Sequence, residues 1–180
     1  DQLRQLKDLQ KENERLRNQV ERVLQLATLD KDELALKHEP ADMHQVAREV
    51  ADHFALPLAE RRVKLVLALE ATAFTVTGDR MHLTNVVTNL LDNALKYGHD
   101  DSTIELRTLS RGGEFLLMVK DQGIGIRKED IKHIFERFYR VHTGNVHNVK
   151  GFGLGLHYVQ QIAHAHKGGI AVQSEPGQGS

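Results

Sequence analysis

The sequence predicts an α+β protein, a two-layer α/β sandwich in which a mixed sheet carries helices on one face, preceded by a long N-terminal helix of the coiled-coil type. Three observations lead to this prediction. Residues 1–30 carry a heptad pattern without Gly or Pro, and short alternating apolar segments follow from about residue 63. Helical and extended patterns then succeed each other without the strict alternation of a doubly wound fold.

The first predicted unit, residues 1–38, is a single long helix. Two apolar rows repeat every seven residues and lie three positions apart, as at the a and d positions of a coiled coil. The rows are Leu6, Asn13, Val20 and Ala27, and Leu9, Leu16 and Val23. An isolated helix that exposes such a seam is marginal in water. We expect a homodimer through a helical bundle, and the alternative is docking of the helix on its own domain.

The second predicted unit, residues 39–180, begins after a connector at His38-Glu39-Pro40, since Pro restricts the residue before it to extended conformations. Asp42 and Asp79 are placed to cap helices, the second of which runs to about residue 97. The first of these helices is expected to carry a row of apolar residues, namely Val46, Val50, Phe54 and Leu58. Further helices are expected at 127–138 and 153–166, and strands at 63–69, 74–76, 104–109, 115–120 and 170–172.

Bulk composition argues against several classes of function. The formal net charge of -1 gives no electrostatic reason to expect nucleic-acid binding. The absence of Cys removes disulfides and thiolate metal sites and fits a cytoplasmic location. No apolar run approaches the ~20 residues that cross a bilayer. The eleven His residues show no partner set for zinc, and we interpret them as surface residues.

Four segments carry residues suited to chemistry, and the first is the helix around residues 85–97. Asn89 and Asn93 are four apart and share a helix face, with Lys96 beside Asn93. An amide oxygen is a hard ligand suited to Mg²⁺ held by phosphates, and Lys offers a point charge for phosphate oxygens. Solvated Asn side chains on a surface helix explain the same pattern equally well.

The second segment, Asp121-Gln-Gly123-Ile-Gly125-Ile126, directly follows a predicted strand. Its glycines allow a close backbone approach to a ligand. The carboxylate can accept a hydrogen bond from an exocyclic amine such as that of adenine. An ordinary strand-to-helix turn is the alternative.

The third and fourth segments lie on either side of a polar loop. Residues 134–140 include Phe135 and Phe138, expected in a packed core helix, and Arg140, a candidate for phosphate contact. Residues 150–156 open a helix with Gly at every second position. Backbone N–H groups at a helix start form an anion site, but the spacing matches neither a dinucleotide fingerprint nor a Walker motif.

In this order and spacing, the four segments resemble the N, G1, F and G2 boxes of sensor histidine kinases. That family has the Bergerat fold, shared with type II topoisomerase, heat-shock chaperone and mismatch-repair ATPases. The resemblance covers roughly residues 40–180. Residues 1–36 resemble the second helix of the family's dimerisation and phosphotransfer domain, and residues 139–151 resemble the Bacteroidetes branch.

The resemblance implies ATP and Mg²⁺ as ligands. Asn93 would ligate Mg²⁺, Asp121 would bind the adenine amino group, and residues 141–152 would form the ATP lid. Lys96, Arg140 and Asn89 would act on the phosphates. The full set of implied nucleotide-binding positions is Asn89, Asn93, Lys96, Tyr97, Asp121, Gly123, Gly125, Ile126, Tyr139, Arg140, Lys150, Gly151, Phe152, Gly153, Leu154 and Gly155.

The resemblance also implies the reaction. The γ-phosphate of ATP would pass to a His on a first dimerisation helix, which we expect in a longer, inner-membrane-anchored parent, and then to the receiver domain of a response regulator. Hydrolytic relatives carry a Glu four residues before the metal-binding Asn. Here that position is Asn89, which cannot act as a general base, so slow ATP hydrolysis is expected. His38 is followed by Glu39-Pro40 at the helix exit and is not expected to be the acceptor.

Three alternatives remain at this point. They are an ATPase of the chaperone or topoisomerase kind, a serine kinase of the anti-sigma type, and a non-enzymatic dimerisation module with a degenerate pocket.

The C-terminal residues 174–180 resemble the segment that leads into a final strand in sensor histidine kinases.

Overall fold

The computed structural model describes residues 36–141 and 153–180. The predicted N-terminal helix and most of the predicted lid therefore lie outside the described residues. The described elements follow in chain order: β1 (Glu39–Asp42), α1 (Met43–His53), α2 (Ala55–Glu60), β2 (Lys64–Leu69), β3 (Thr75–Gly78), α3 (Arg80–Tyr97), β4 (Thr103–Arg111), β5 (Glu114–Lys120), α4 (Lys128–Ile131) and α5 (Gly155–Ala165).

The strands form a mixed sheet and a separate two-stranded sheet. In the mixed sheet β4 lies between β2, to which it is parallel, and β5, to which it is antiparallel. The β4–β5 hairpin turns where the sequence predicted it, with Arg111 opposite Glu114. The second sheet pairs β1 with β3 antiparallel. The predicted α+β class with a mixed sheet is confirmed.

The hydrophobic core lies between helices α1 and α3 and one face of the mixed sheet. Along β4, Ile104, Leu106 and Thr108 are buried while the residues between them are partly exposed, as expected for a strand with one covered face. The helices contribute buried apolar residues at helical spacing, namely Val46, Val50, Val87 and Leu91. This packing fixes α3 over the sheet and so determines where its polar face lies.

Helix α3 begins at Asp79, as predicted. One carboxylate oxygen accepts hydrogen bonds from the backbone N–H groups of Met81 at 3.0 Å and His82 at 3.3 Å. The other accepts from the N–H of Lys37 at 3.2 Å. Burial would raise the pKa of this carboxyl group, but the N–H donors of Lys37, His82 and Met81, helped by the His82 charge, hold the pKa below its usual value.

Several predicted boundaries are wrong. The connector at residues 38–40 is in part strand β1, whose Pro40 lies opposite Thr77 in the two-stranded sheet, where a missing N–H is tolerated. The first helix, correctly capped by Asp42, ends at His53, so Leu58 lies on the separate helix α2. No described backbone hydrogen bond pairs residues 170–172 with another strand, so the predicted last strand does not form among the described residues.

The predicted helix at 127–138 is also too long, because α4 ends at Ile131. The chain then turns, and Phe138 adopts a φ of 63°, outside the helical region. Its side chain is 69% exposed, so the prediction that Phe138 packs in a core helix is wrong. Phe135 is partly buried.

The interpretation of all His residues as surface residues is wrong for two of them. His44 is buried, stacks on Phe74 with ring centroids 4.4 Å apart, and bonds through Nε2 to Thr108 Oγ1 at 2.8 Å. His157 is buried and bonds through Nδ1 to the Phe135 carbonyl at 2.9 Å.

Within the described ranges, no helix is long and apolar enough to span a membrane.

Candidate functional site

The C-terminal end of α3 contacts the loop that follows β5, backbone against backbone. Gly98 and Gly123 form a β-bridge, and the N–H of Ile124 donates to the Tyr97 carbonyl at 3.1 Å. A methyl group added at Gly123 would overlap the Tyr97 carbonyl and lie 2.7 Å from Asp121 Oδ1. This approach requires Gly, and it brings the first and second predicted motifs together.

Asp121 lies in this loop with its carboxylate partly buried. Burial raises the pKa of the carboxyl group, and hydrogen bonds with the backbone N–H groups of Gly123 and Ser180 offset part of that effect, as does the charge of His99. A carboxylate in such a place gains when a further donor binds it, because the donor stabilises the charged form.

The start of α5 contacts the polar face of α3. A methyl group added at Gly155 would lie 2.8 Å from Asn89 Oδ1 and 4.0 Å from Asn93 Nδ2. The side-chain nitrogen of Asn89 donates to the Asn85 carbonyl at 2.8 Å, which turns its oxygen toward Gly155. The first and fourth predicted motifs therefore meet, with two amide side chains facing a helix N-terminus.

Lys96 lies one turn beyond Asp92 on α3, and its ammonium group donates to Asp92 Oδ2. Both side chains are about three-quarters buried, with exposed fractions of 28% and 26%. The i,i+4 spacing signals such a pair, although the sequence reasoning did not single out Asp92. A phosphate bound here would have to share Lys96 with this carboxylate.

These contacts bring parts of three of the four predicted motifs together, and the matches to known proteins agree with that. Residues 78–180 match the family described as histidine kinase-, DNA gyrase B-, and HSP90-like ATPase. The chain belongs to this family. The match begins at the residue before the α3 cap and includes all the contacts above.

Individual relatives are sensor kinases. Sensor protein RprX of Bacteroides fragilis (strain YCH46) is 45% identical over 166 residues, which are 91% of this chain and 32% of RprX. The chain thus spans about a third of the length of this relative. The predicted resemblance to sensor histidine kinases, and to their Bacteroidetes branch, is confirmed.

Solved structures give the same result. The crystal structure of full-length ShkA in complex with AMPPNP has a TM-score of 0.80 at 26% identity, and covers 94% of this chain and 35% of that one. Histidine kinase AdeS of Acinetobacter baumannii has a TM-score of 0.75 at 28% identity, and covers 97% of this chain and 79% of that one.

In this ATPase family member, the third predicted motif adjoins the fourth. The Phe138 N–H donates to the Gly153 carbonyl at 3.0 Å, which joins residues on either side of the predicted lid. The Tyr139 hydroxyl donates to Asp130 Oδ1 at 2.5 Å, and Arg127 Nε donates to Asp130 Oδ2 at 2.9 Å. The Tyr139 hydrogen bond, followed by that of Arg127, lowers the pKa of the Asp130 carboxyl group.

The remaining predicted residues lie at or beyond the ends of the described ranges that flank the predicted lid. Arg140 is exposed, beside Val141, where the first described range ends. Leu154 directly precedes α5, and its carbonyl accepts from the Tyr158 N–H at 3.0 Å. Lys150, Gly151 and Phe152 lie outside the described residues.

The sequence reasoning missed the C-terminal residues as part of the site. Ser174 Oγ accepts from the Ile126 N–H at 2.8 Å, and the Ser180 carbonyl accepts from the Asp121 N–H at 2.9 Å. The Gly177 N–H donates to the Ile124 carbonyl at 2.8 Å. These bonds hold the loop at both of its ends, although their donors and acceptors are about fifty residues apart in sequence.

Tyr158 on α5 was also missed. Its hydroxyl lies 2.8 Å from His82 Nδ1 and 3.5 Å from Asn85 Nδ2, so it continues the polar contact between α3 and α5 away from Asn89. Burial raises the pKa of Tyr158 to about 12. The sequence carries two signals for this contact. Polar residues recur at helical spacing at 82, 85, 89 and 93, and Tyr158 is the one Tyr in α5.

Proposed function

We propose that this chain is the ATP-binding catalytic domain of a sensor histidine kinase. It would pass the γ-phosphate of ATP to a His on a dimerisation helix of the parent protein, for relay to an Asp of a response regulator. The observation that supports this most is that α3 contacts both Gly-containing segments, Gly123 at its C-terminal end and Gly155 on its polar face beside Asn89.

The two contacts divide the site into a base side and a phosphate side. On the base side, the Asp121 carboxylate accepts a hydrogen bond from the exocyclic amine of adenine, which relieves the cost of its burial. On the phosphate side, the first N–H groups of α5 and the Asn89 and Asn93 amides face the nucleotide. A methyl group at position 155 would lie 2.8 Å from Asn89 Oδ1, so a side chain there would displace Asn89 from its place beside the α5 N-terminus.

The residues present fit a magnesium ion. Asn93 supplies a neutral oxygen donor of the kind that Mg²⁺ accepts in addition to phosphates and water. When bound, Mg²⁺ neutralises charge on the phosphates as the phosphoryl group moves. Lys96 adds positive charge beside Asn93 and exchanges part of its bond with Asp92 for phosphate, and the family resemblance adds Arg140 as a second phosphate contact.

Asn89 decides between a kinase and a hydrolase. Its side chain is an amide whose nitrogen already donates to the Asn85 carbonyl, so it neither removes a proton from water nor turns freely to do so. The phosphoryl group is therefore kept for a protein nucleophile. A chaperone-like or topoisomerase-like ATPase would need a base at this position.

A calorimetric titration with Mg-ATP tests the nucleotide site. We expect the wild-type protein to bind Mg-ATP. The Asn93→Ala variant should lose this binding without a change in its melting temperature. Asn85→Ala is the matched control, because Asn85 lies on the same helix and its side chain contacts Tyr158 at 3.5 Å rather than Gly155. Unchanged affinity in Asn93→Ala would refute the assignment of the metal ligand.

A second assay tests the reaction with radiolabelled ATP. The chain alone should label none of its own His residues, whereas addition of a helix pair from a related kinase that carries the acceptor His should give acid-labile label on that pair. Rapid phosphate release without transfer would favour the hydrolase. Dimerisation through residues 1–38, contact with a receiver domain and a cytoplasmic position in a membrane-anchored parent are further parts of the proposal.

A further inference from the structure

The C-terminal end of α3 leaves carbonyl groups that need donors. The last carbonyls of any helix lack partners within the helix. Here the Ala94 carbonyl accepts from the Gly98 N–H at 2.9 Å. Gly98 then has a φ of -69° and a ψ of 160°, so the chain leaves in an extended conformation instead of the left-handed turn that commonly closes a helix. The carbonyls of Leu95 and Gly98 must therefore find donors elsewhere.

Arg61, in the turn between α2 and β2, supplies both donors. Its Nη1 donates to the Leu95 carbonyl, and its Nη2 donates to the Gly98 carbonyl at 2.8 Å. Its Nε donates to Asp100 Oδ1 at 2.7 Å, so one planar guanidinium group spans the helix end and the turn after it. The side chain is only 32% exposed, and its charge is favourable at a helix C-terminus.

The residues between these two carbonyls also bind the Asp121 loop. Gly98 forms the bridge with Gly123, and the Tyr97 carbonyl accepts from the Ile124 N–H. The helix end is thus attached to Arg61 through the Leu95 and Gly98 carbonyls and to the loop that carries Asp121 through Tyr97 and Gly98. Residues 95–98 therefore link Asn93, which precedes them on α3, to that loop, and the bonds that hold them also hold the spacing between the two.

We propose that Arg61 is a positioning residue of the nucleotide site, which acts through the Leu95 and Gly98 carbonyls to set the spacing between the phosphate side on α3 and the base side at Asp121. This inference rests on the proposed function. Arg61 lies outside both motifs in sequence, 24 residues before the segment 85–97 and 60 before Asp121, and the resemblance gives it no role.

The test compares Arg61→Ala with Arg62→Ala in the full 180-residue chain. Arg62 is a matched control because it is adjacent, has the same side chain and makes two bonds with Asp101, at 2.6 and 2.7 Å, but its 65%-exposed side chain is bonded to that turn instead of α3. The affinity for Mg-ADP is measured by calorimetry well below the melting temperature of each variant, so that a loss of stability alone leaves it unchanged.

We expect Arg61→Ala to bind Mg-ADP about tenfold more weakly than wild type, since two hydrogen bonds that hold the site are lost. Arg62→Ala should bind as wild type does. Arg61→Lys keeps the charge but lacks the planar guanidinium group with its several N–H donors, so its affinity for Mg-ADP should lie between those of Arg61→Ala and wild type. Amide hydrogen exchange at Ile124 in the ligand-free protein should become faster in Arg61→Ala and stay unchanged in Arg62→Ala.

The outcomes separate this inference from the proposed function. Wild-type protein that fails to bind Mg-ADP overturns the proposed function, and this inference with it. Wild-type binding together with equal affinity in Arg61→Ala overturns this inference alone, as does an equal loss in both alanine variants. If Arg61→Ala does not fold, Arg61→Lys decides: wild-type affinity and wild-type exchange at Ile124 in that variant overturn the inference.

Discussion

Replacement of Asp79 by Ala should destabilise the protein through loss of the α3 cap. The carboxylate of Asp79 is buried and accepts from three backbone N–H groups, those of Met81, His82 and Lys37. Loss of a helix cap costs about 1 kcal/mol. The hydrogen bond from the Lys37 N–H lies in a partly buried place outside the helix, and its loss costs about 1 kcal/mol more. We therefore expect a loss of about 2 kcal/mol, which lowers the melting temperature by ~6 °C for a domain of this size.

Thermal and urea unfolding, followed by circular dichroism, measure this effect. Asp79→Asn is the matched control, since Asn keeps one acceptor oxygen and is as good a cap residue as Asp near neutral pH. The two variants should therefore differ, with Asp79→Ala clearly less stable. A wild-type melting temperature in Asp79→Ala would refute the argument that this cap holds α3.

The pH dependence of the same pair gives a second measurement. The pKa of the folded Asp79 carboxyl group lies below its usual value, so its ionisation stabilises the folded state. That contribution is fully present above the unfolded pKa of about 3.9 and is lost as pH falls through the lower, folded pKa. The stability of wild type relative to Asp79→Asn, whose side chain does not titrate, should therefore fall in that acidic range. A relative stability of wild type that rises on acidification would contradict the lowered pKa of Asp79.

Two further predictions concern the site. Asp121→Asn should weaken Mg-ATP binding about tenfold and reduce the preference for ATP over GTP. In wild type, the affinity for Mg-ATP should fall as pH falls through the raised pKa of Asp121, and calorimetry over a pH series measures this change. An affinity that does not depend on pH would contradict the role of the carboxylate. Gly155→Ala should also weaken Mg-ATP binding, because the new methyl group lies 2.8 Å from Asn89 Oδ1, whereas Gly169→Ala, where the methyl group meets nothing within 4 Å, should bind normally.

The sequence was sufficient for the elements whose signals are local. The caps at Asp42 and Asp79 and the turn between β4 and β5 are each specified by a few adjacent residues, and all three lie where they were predicted. The aromatic run before residue 140 misled the prediction, because apolar spacing alone does not reveal the left-handed turn at Phe138.

Elements and contacts that depend on distant partners were not predictable in this way. Strand β1 exists because β3 pairs with it, and residues 170–172 form no strand because no described segment does so. The site follows the same rule. The motifs were visible one by one, but the bonds from Ser174 and Arg61 that fix them join residues 34 to 48 positions apart.

The bond between Lys37 and Asp79 bears on how short a working piece of this protein can be. Lys37 precedes the first strand by two residues, yet its amide completes the set of donors around a carboxylate at the far end of α3 from Asn93. A piece trimmed to start at Glu39 would keep every strand and helix described above and still lose that donor. Its melting behaviour would then understate that of the intact domain, so Leu36 is the safer first residue for isolated work.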